Sequence, residues 1–341
     1  WLLSFYGFEK HANIDLTLLF TVFFVVIVSL WNINRNPVFR FITKEAAVVL
    51  LMALIFSINS LVQGTPLFEL VVGIKPLLFF LLLFLSIRTS WLPNLPQKYS
   101  VKLIEITSIL MGAKYLLTHM FTENDRPYLF TENNFELVLP LAALFCLRNK
   151  SIAFSLLLIA IILMSGSKSA IASLVLLPFI ALVFKYKVLM APIFSLLCFI
   201  LFKFFTQGLF DDIDRVEYLT SLMTFYDATL PNVFFGNLHI EPLRPSVCEA
   251  LSYMGPEKVS VNGGGFVCFS RVVNFTSLRL IVDFGLVFAS IFFFCWYACL
   301  KKVFSTSVAW TLFFIGFLNG LSVSGFGNIF FIITIILIYG A

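Results

Sequence analysis

Residues 16–31 read LTLLFTVFFVVIVSLW, a run without a charged or amide side chain, and runs of this kind recur along the whole sequence. Crossing the ~30 Å hydrocarbon core of a bilayer takes about 20 mostly apolar residues in a helix. Repeated blocks of that length leave little choice of fold. They place the chain in lipid, where each backbone N–H and C=O must be satisfied within the protein. Outer-membrane strands would alternate apolar and polar residues over ~10 positions, and the mixed Phe, Leu, Ile and Val runs do not. Only 12% of the residues are charged, against about 25% in a soluble domain, too few to cover a water-facing surface. The expected fold is all-α: a polytopic transmembrane helix bundle forming a single membrane domain over residues 1–341.

About eleven spans are expected, over 14–31, 45–62, 67–87, 101–120, 134–147, 151–165, 169–184, 187–206, 273–298, 307–322 and 326–340. Several are short, which points to tilted, re-entrant or broken helices, with Pro76 and Pro140 as candidate breaks. The sequence opens on Trp1 rather than Met. No basic segment with a small-residue cleavage site follows, so no signal peptide is expected, and WLLSFYGF reads as the tail of a helix.

Loop charges set the expected orientation. Alternate loops carry Arg35, Arg40 and Lys44; Arg88, Lys98 and Lys102; Arg148 and Lys150; Lys185 and Lys187; Lys301 and Lys302. The short loops between them carry only Arg126 and Lys168. Under the positive-inside rule the first set is cytoplasmic. The visible N-terminus and the large loop 207–272 then lie on the outer face, the periplasm for a bacterial inner membrane. Cys146, Cys198, Cys295 and Cys299 fall in or beside spans and read as small buried hydrophobes. Cys248 and Cys268 both lie in the large loop. Paired in an oxidising compartment, they would contribute on the order of 3 kcal/mol by closing it; the alternative is two thiols on a mobile loop.

A cation at the centre of a span costs roughly 2.5–3.5 kcal/mol on insertion scales, so one retained there faces a cavity or a partner. Lys75, beside Pro76, and Lys114 are two such cations, and each reads either as functional or as a snorkelling side chain. Arg279 stands four residues before Asp283, so the two share a helix face and can pair, as a structural ion pair or as part of a site. In SGSKSA, residues 165–170, Lys168 would open a helix beside Ser167, where orphan N–H groups and hydroxyls suit an anion such as phosphate or pyrophosphate. A plain serine-rich turn is the other reading. Arg126 lies in a polar stretch running into a helix, with Glu132, Asn133 and Asn134 suited to its cap and first turn. The loop 207–272 holds Arg215 on an amphipathic stretch, then His239, Arg244, Lys258 and Arg271. Arginines at several span mouths on one face point collectively to an anionic partner.

No P-loop, dinucleotide-binding fingerprint, zinc-ligand spacing or nucleophile elbow occurs. With His11, His119 and His239 as the three histidines and no carboxylate pair at ligand spacing, neither a metal nor another cofactor is expected. Nucleic acid has no basis as a partner. No internal repeat of the transporter kind is visible, and the three glycines 263–265 read as a flexible loop.

Four ordered stretches resemble the O-antigen polymerase and ligase superfamily, which includes the Wzy-like polymerases. DRPYLFTENNFELVLPL is similar to the family's arginine-led helix start, matching Arg126 and Asn134. SGSKSAIASLVLL is similar to its serine–arginine helix start, with Lys168 where the family usually has arginine. IDRVEYLTSLMTFYDATLPNVFFGN matches at Arg215 and Gly236, and VNFTSLRLIVDFGLVFA at Asn274, Asp283 and Gly285. The resemblance covers roughly residues 120–290. One departure stands out: the histidine that precedes asparagine in ligases is Val273 here, which favours a polymerase over a ligase.

The resemblance implies a glycosyltransferase that moves a growing glycan from undecaprenyl pyrophosphate onto an incoming undecaprenyl-pyrophosphate-linked oligosaccharide, without a metal. Membrane lipid and a chain-length regulator protein are further implied partners, and a flippase or a ligase the alternatives. It implies catalytic roles for Arg126, Arg215 and Arg279. Lys168, Ser167, Asn134, Asn274, Asp283, Arg244, Arg271 and His239 would bind substrate, with the large loop holding sugars as a lid. The general base stays open among His239, Asp214, Glu217 and Glu132.

Overall fold

The computed structural model describes residues 44–88, 97–121, 135–148, 150–167, 170–178, 230–243, 245–250, 252, 259–262, 265–269, 276–320 and 325–341. These are mostly helical. The long helices are α1 (Lys44–Val62), α2 (Leu67–Arg88) and α3 (Gln97–Phe121). A 3-10 turn, Phe135–Leu137, leads into the short α4 (Val138–Cys146), and α5 (Ile152–Met164) follows. After a further helical stretch at 170–178 come α6 (Leu230–Phe235) and α7 (Pro245–Ala250). The chain closes with α8 (Thr276–Val303), α9 (Thr306–Gly320), a 3-10 turn at Gly325–Gly327 and α10 (Ile329–Gly340). Among the described residues, three helical segments are long and apolar enough to cross a membrane: Lys44–Val62, Leu67–Phe84 and Asp283–Val303.

Side-chain caps start two of the helices. The Ser151 hydroxyl accepts from the Phe154 N–H at 3.1 Å, and Asn328 Oδ1 accepts from the Phe330 N–H at 2.9 Å, each satisfying an orphan donor of a first turn. Pro140 falls within the first turn of α4, where proline is tolerated, so it opens that helix rather than breaking it. With nine residues, α4 is only about 14 Å long at 1.5 Å per residue. Val138–Ala143 are all buried, and α4 packs against α5, α9 and α10. It is a half-length helix inside the bundle.

Two features depart from the spans expected from the sequence. α2 continues through Pro76, a candidate break. α8, by contrast, is two helical segments meeting at Gly285, whose φ of 78° and ψ of 165° are not helical. A third departure is a small antiparallel hairpin within the large loop, β1 (Val259–Asn262) and β2 (Gly265–Cys268), with Val259 opposite Cys268 and Asn262 opposite Gly265. The described residues are thus mostly helical, with one two-stranded sheet.

The core is aromatic. Trp296 is fully buried, with Phe326 at 5.1 Å and Phe80 and Phe331 at 5.5 Å between ring centroids. Such offset and edge contacts suit the ring quadrupoles. By contrast, Leu51, Leu54, Ile58 and Leu61 of α1 and Leu103, Leu110 and Leu117 of α3 are half exposed or more.

Polar contacts fix the ends of the bundle. Lys302 Nζ donates to Glu45 Oε2 at 2.6 Å, joining the end of α8 to the start of α1, and Gln97 Nε2 donates to the Ala341 carbonyl. At the other end His119 Nε2 meets the Met164 carbonyl at 2.8 Å, joining the ends of α3 and α5. Glu45, Lys302, Gln97 and Ala341 therefore share one end of the described helices.

Candidate functional site

The end opposite the lysines is closed by residues 230–243. Helix α6 stops at Gly236, which is left-handed at φ 65°, and its backbone lies directly on the α8 break. A Cβ on Gly236 would stand 2.4 Å from the Phe284 carbonyl carbon, and one on Gly285 2.2 Å from the Gly236 nitrogen. Only glycine admits that approach at these dihedral angles.

Four residues further on, Ile240 is clamped on both sides of its peptide. Its N–H donates to Ser60 Oγ at 3.1 Å, and its carbonyl accepts from Thr65 Oγ1 at 3.0 Å. Its side chain fills the notch at Gly73 of α2, where a Cβ would lie 2.4 Å from Ile240 Cδ1. Between these anchors Leu238 is held at φ 55°, a strain of roughly 1–2 kcal/mol for a residue with a Cβ. Such conformations persist where the surroundings over-determine them.

Beyond the clamp, the Leu243 N–H donates to the Cys268 carbonyl at 2.8 Å, and Pro242 bridges Phe269. Cys248 of α7 and Cys268 of β2 form a disulfide with a Cα–Cα separation of 5.4 Å, within the usual range. Helix α7, the hairpin and the 236–243 segment are thereby joined to the ends of α1, α2 and α8.

His239 lies inside this segment. Its Nδ1 stands 2.7 Å from the Asn237 carbonyl and its Nε2 3.0 Å from Glu241 Oε1. Both partners are acceptors, so each ring nitrogen faces a group to which it can donate. Glu241 Oε2 accepts in turn from Asn237 Nδ2 at 2.7 Å.

Arg279 and Asp283 occupy the first segment of α8, and both are buried. The structure adds an acid that sequence reasoning passed over: Glu69 of α2, also buried. Both carboxylates interact electrostatically with Arg279. The guanidinium Nη2 donates to the Val72 carbonyl at 3.1 Å. A second buried acid was also missed. Glu136, in the 3-10 turn before α4, accepts from the Tyr115 hydroxyl at 3.1 Å and interacts with Lys114. The signal was present in both cases, as a single acid inside an apolar run (LFELVVGIKP and FELVLPL), and a search for buried cations alone does not register it.

Ser167 precedes the helical stretch 170–178. Its carbonyl accepts from the Ile171 N–H at 3.0 Å, and its own N–H donates to Ser165 Oγ at 3.1 Å. Arg126, Asn134, Lys168, Arg215, Arg244, Arg271 and Asn274 lie outside the described residues, as do Glu132, Asp214 and Glu217. Of the predicted site residues, the structure thus gathers Arg279, Asp283, His239 and the disulfide near the docked loop segment. Among the described residues no three His, Cys, Asp or Glu side chains stand together as a metal site would require. Compared with protein-family models, curated proteins and solved structures, the chain matches none of them.

Proposed function

We propose that this protein is a membrane-embedded glycan polymerase. In this reading it transfers a growing glycan from undecaprenyl pyrophosphate onto an incoming undecaprenyl-pyrophosphate-linked oligosaccharide at the extracytoplasmic face. The acceptor hydroxyl attacks the anomeric carbon of the donor, the bond to the pyrophosphate oxygen breaks, and a base takes the acceptor proton. The leaving diphosphate carries the developing charge, and preorganised cations stabilise it most effectively away from water. Arg126, Lys168 and Arg215 are the proposed cations. A chain-length regulator is the proposed protein partner.

One observation carries this reading. Gly236 and Gly285 belong to two separate stretches of the family-like pattern, and their backbones touch. Contact between two parts of a weak sequence pattern supports treating it as one functional unit. The loop that bears Arg215 also returns to the bundle at this junction, at the end away from the lysines.

Purified protein given a synthetic undecaprenyl-pyrophosphate repeat unit should yield a ladder of extended products. Arg215→Ala should lose extension by roughly a hundredfold or more, the scale seen when one electrostatic contact to a transition state is removed, while still inserting in membranes. A wild-type ladder from that variant would remove Arg215 from the site. In cells, deletion should leave single repeat units on the surface lipid. Lipid-linked units trapped inside would instead identify a flippase, and surface lipid without any repeat a ligase.

A further inference from the structure

We infer that Arg279 is a positioning residue: its guanidinium replaces the hydrogen bond that Pro76 removes from α2, and so fixes α2, the α8 break and the docked 236–243 segment in one geometry. In a regular helix the N–H of residue 76 would donate to the carbonyl of residue 72. Proline has no N–H, and its ring crowds that same carbonyl. The carbonyl left over is that of Val72, and it accepts from Arg279 Nη2 at 3.1 Å. This accounts for α2 running unbroken through Pro76.

The same face of α2 carries the other contacts. Glu69, Val72, Gly73 and Pro76 are spaced i, i+3, i+4 and i+7, which places them in one stripe along the helix. Glu69 interacts with Arg279, and Gly73 receives the Ile240 side chain. On α8, Arg279 lies within two turns of Gly285, on which the Gly236 backbone rests. One arginine thus ties the proline site of α2 to the helix segment that seats the loop.

Burial argues against a second role at a lipid diphosphate. Arg279 is 9% exposed, Asp283 5% and Glu69 7%. A buried guanidinium is retained when its charge and donors are matched within the protein, and here the Val72 carbonyl accepts from it and two buried carboxylates interact with it electrostatically. The positioning part of the inference rests on the polymerase reading, through the loop that carries Arg215. The replaced hydrogen bond does not.

The test separates the two. Arg279→Lys keeps a charge for Asp283 and Glu69 but loses the forked donor. Amide exchange of residues 236–243 should then rise about tenfold or more as the segment opens locally, and kcat for extension should fall with KM little changed. In Pro76→Ala/Arg279→Lys, the restored N–H at position 76 takes the Val72 carbonyl, and both protection and kcat should recover. Restored protection with kcat still lost would overturn the inference, because the guanidinium would then be needed by the substrate. So would unchanged protection in Arg279→Lys. A measurement on the wild-type protein covers the case in which the double variant fails to fold. An arginine-specific dicarbonyl should leave Arg279 unmodified with or without undecaprenyl pyrophosphate; modification that the lipid blocks would refute the inference. A wild-type protein that makes no ladder sinks the polymerase reading alone, and the exchange measurements still decide the hydrogen bond.

Discussion

Gly236 and Gly285 meet backbone to backbone, both at positive φ, and each occupies the space where the other's side chain would begin. The contact couples a loop turn to a helix break, so neither can change alone. Alanine at Gly285 adds backbone strain of roughly 1–3 kcal/mol, and its Cβ would stand 2.2 Å from the Gly236 nitrogen, a backbone atom that cannot swing aside. Gly285→Ala and Gly236→Ala should each lower stability by more than the strain alone, and the double variant by less than their sum, because the first already separates the surfaces. Thermal melts in detergent measure this; additive losses would mean that the two glycines act independently.

The helices were legible because lipid imposes a simple requirement. Several described helices lie within a few residues of the spans read from hydropathy, for instance Lys44–Val62 for 45–62 and Leu67–Arg88 for 67–87, whereas α6 and α7 fall in the expected loop and the spans 14–31 and 187–206 lie outside the described residues. The breaks were not legible, since they depend on partners distant in sequence. Pro76 invites a break, and α2 continues because Arg279 supplies the missing donor. DFGLVF invites a continuous helix, and α8 breaks because Gly236 packs into it. The hairpin was available to sequence reasoning, as valine-rich residues either side of Gly263 and Gly264, but its glycines read more simply as a flexible loop. Arg279 and Asp283 were found because charges in apolar runs stand out; what Arg279 bonds to is a tertiary fact.

The disulfide gives a second test. Cys248 and Cys268 are 20 residues apart, and closing a loop of that size is worth about 3 kcal/mol by the chain-entropy account. Cys248→Ser should lower the melting temperature and raise exchange in the 259–268 hairpin, with less effect on 236–243, which keeps its anchors at Ser60, Thr65 and Gly285. Non-reducing mass spectrometry of the wild-type protein should recover the two cysteine peptides as one species. Recovery as separate peptides would remove the crosslink.

Tyr115 and Glu136 allow the buried polar contacts to be weighed. The hydroxyl donates to a carboxylate at 3.1 Å with both side chains buried, and hydrogen bonds to charged groups contribute about 1.5–3 kcal/mol. Tyr115→Phe removes the donor without opening a large cavity, so it should cost an amount in that range. Glu136→Gln should cost less, because a carbonyl oxygen remains to accept from Tyr115. The double variant completes a cycle, and a coupling energy near zero would show that Tyr115 and Glu136 stabilise the bundle separately.

Orientation is the prediction on which the proposed chemistry depends. Lys301 and Lys302 share one end of the bundle with Glu45, whereas Glu241 belongs to the segment seated at the opposite end. Loop cations are retained on the cytoplasmic side during insertion, so the proposed orientation has Glu241 outside. Glu241 and Lys301 are both exposed, so cysteine at either position should react with a maleimide that reaches it. In intact cells an impermeant maleimide should label Glu241→Cys and leave Lys301→Cys unlabelled until the membrane is opened. Native Cys295 and Cys299 are buried whereas Cys146 is half-buried, so Cys146→Ser/Cys198→Ser serves as the background for both variants. The opposite pattern would place the loop and Arg215 in the cytosol, away from any extracytoplasmic lipid diphosphate, and the polymerase reading would fail with it.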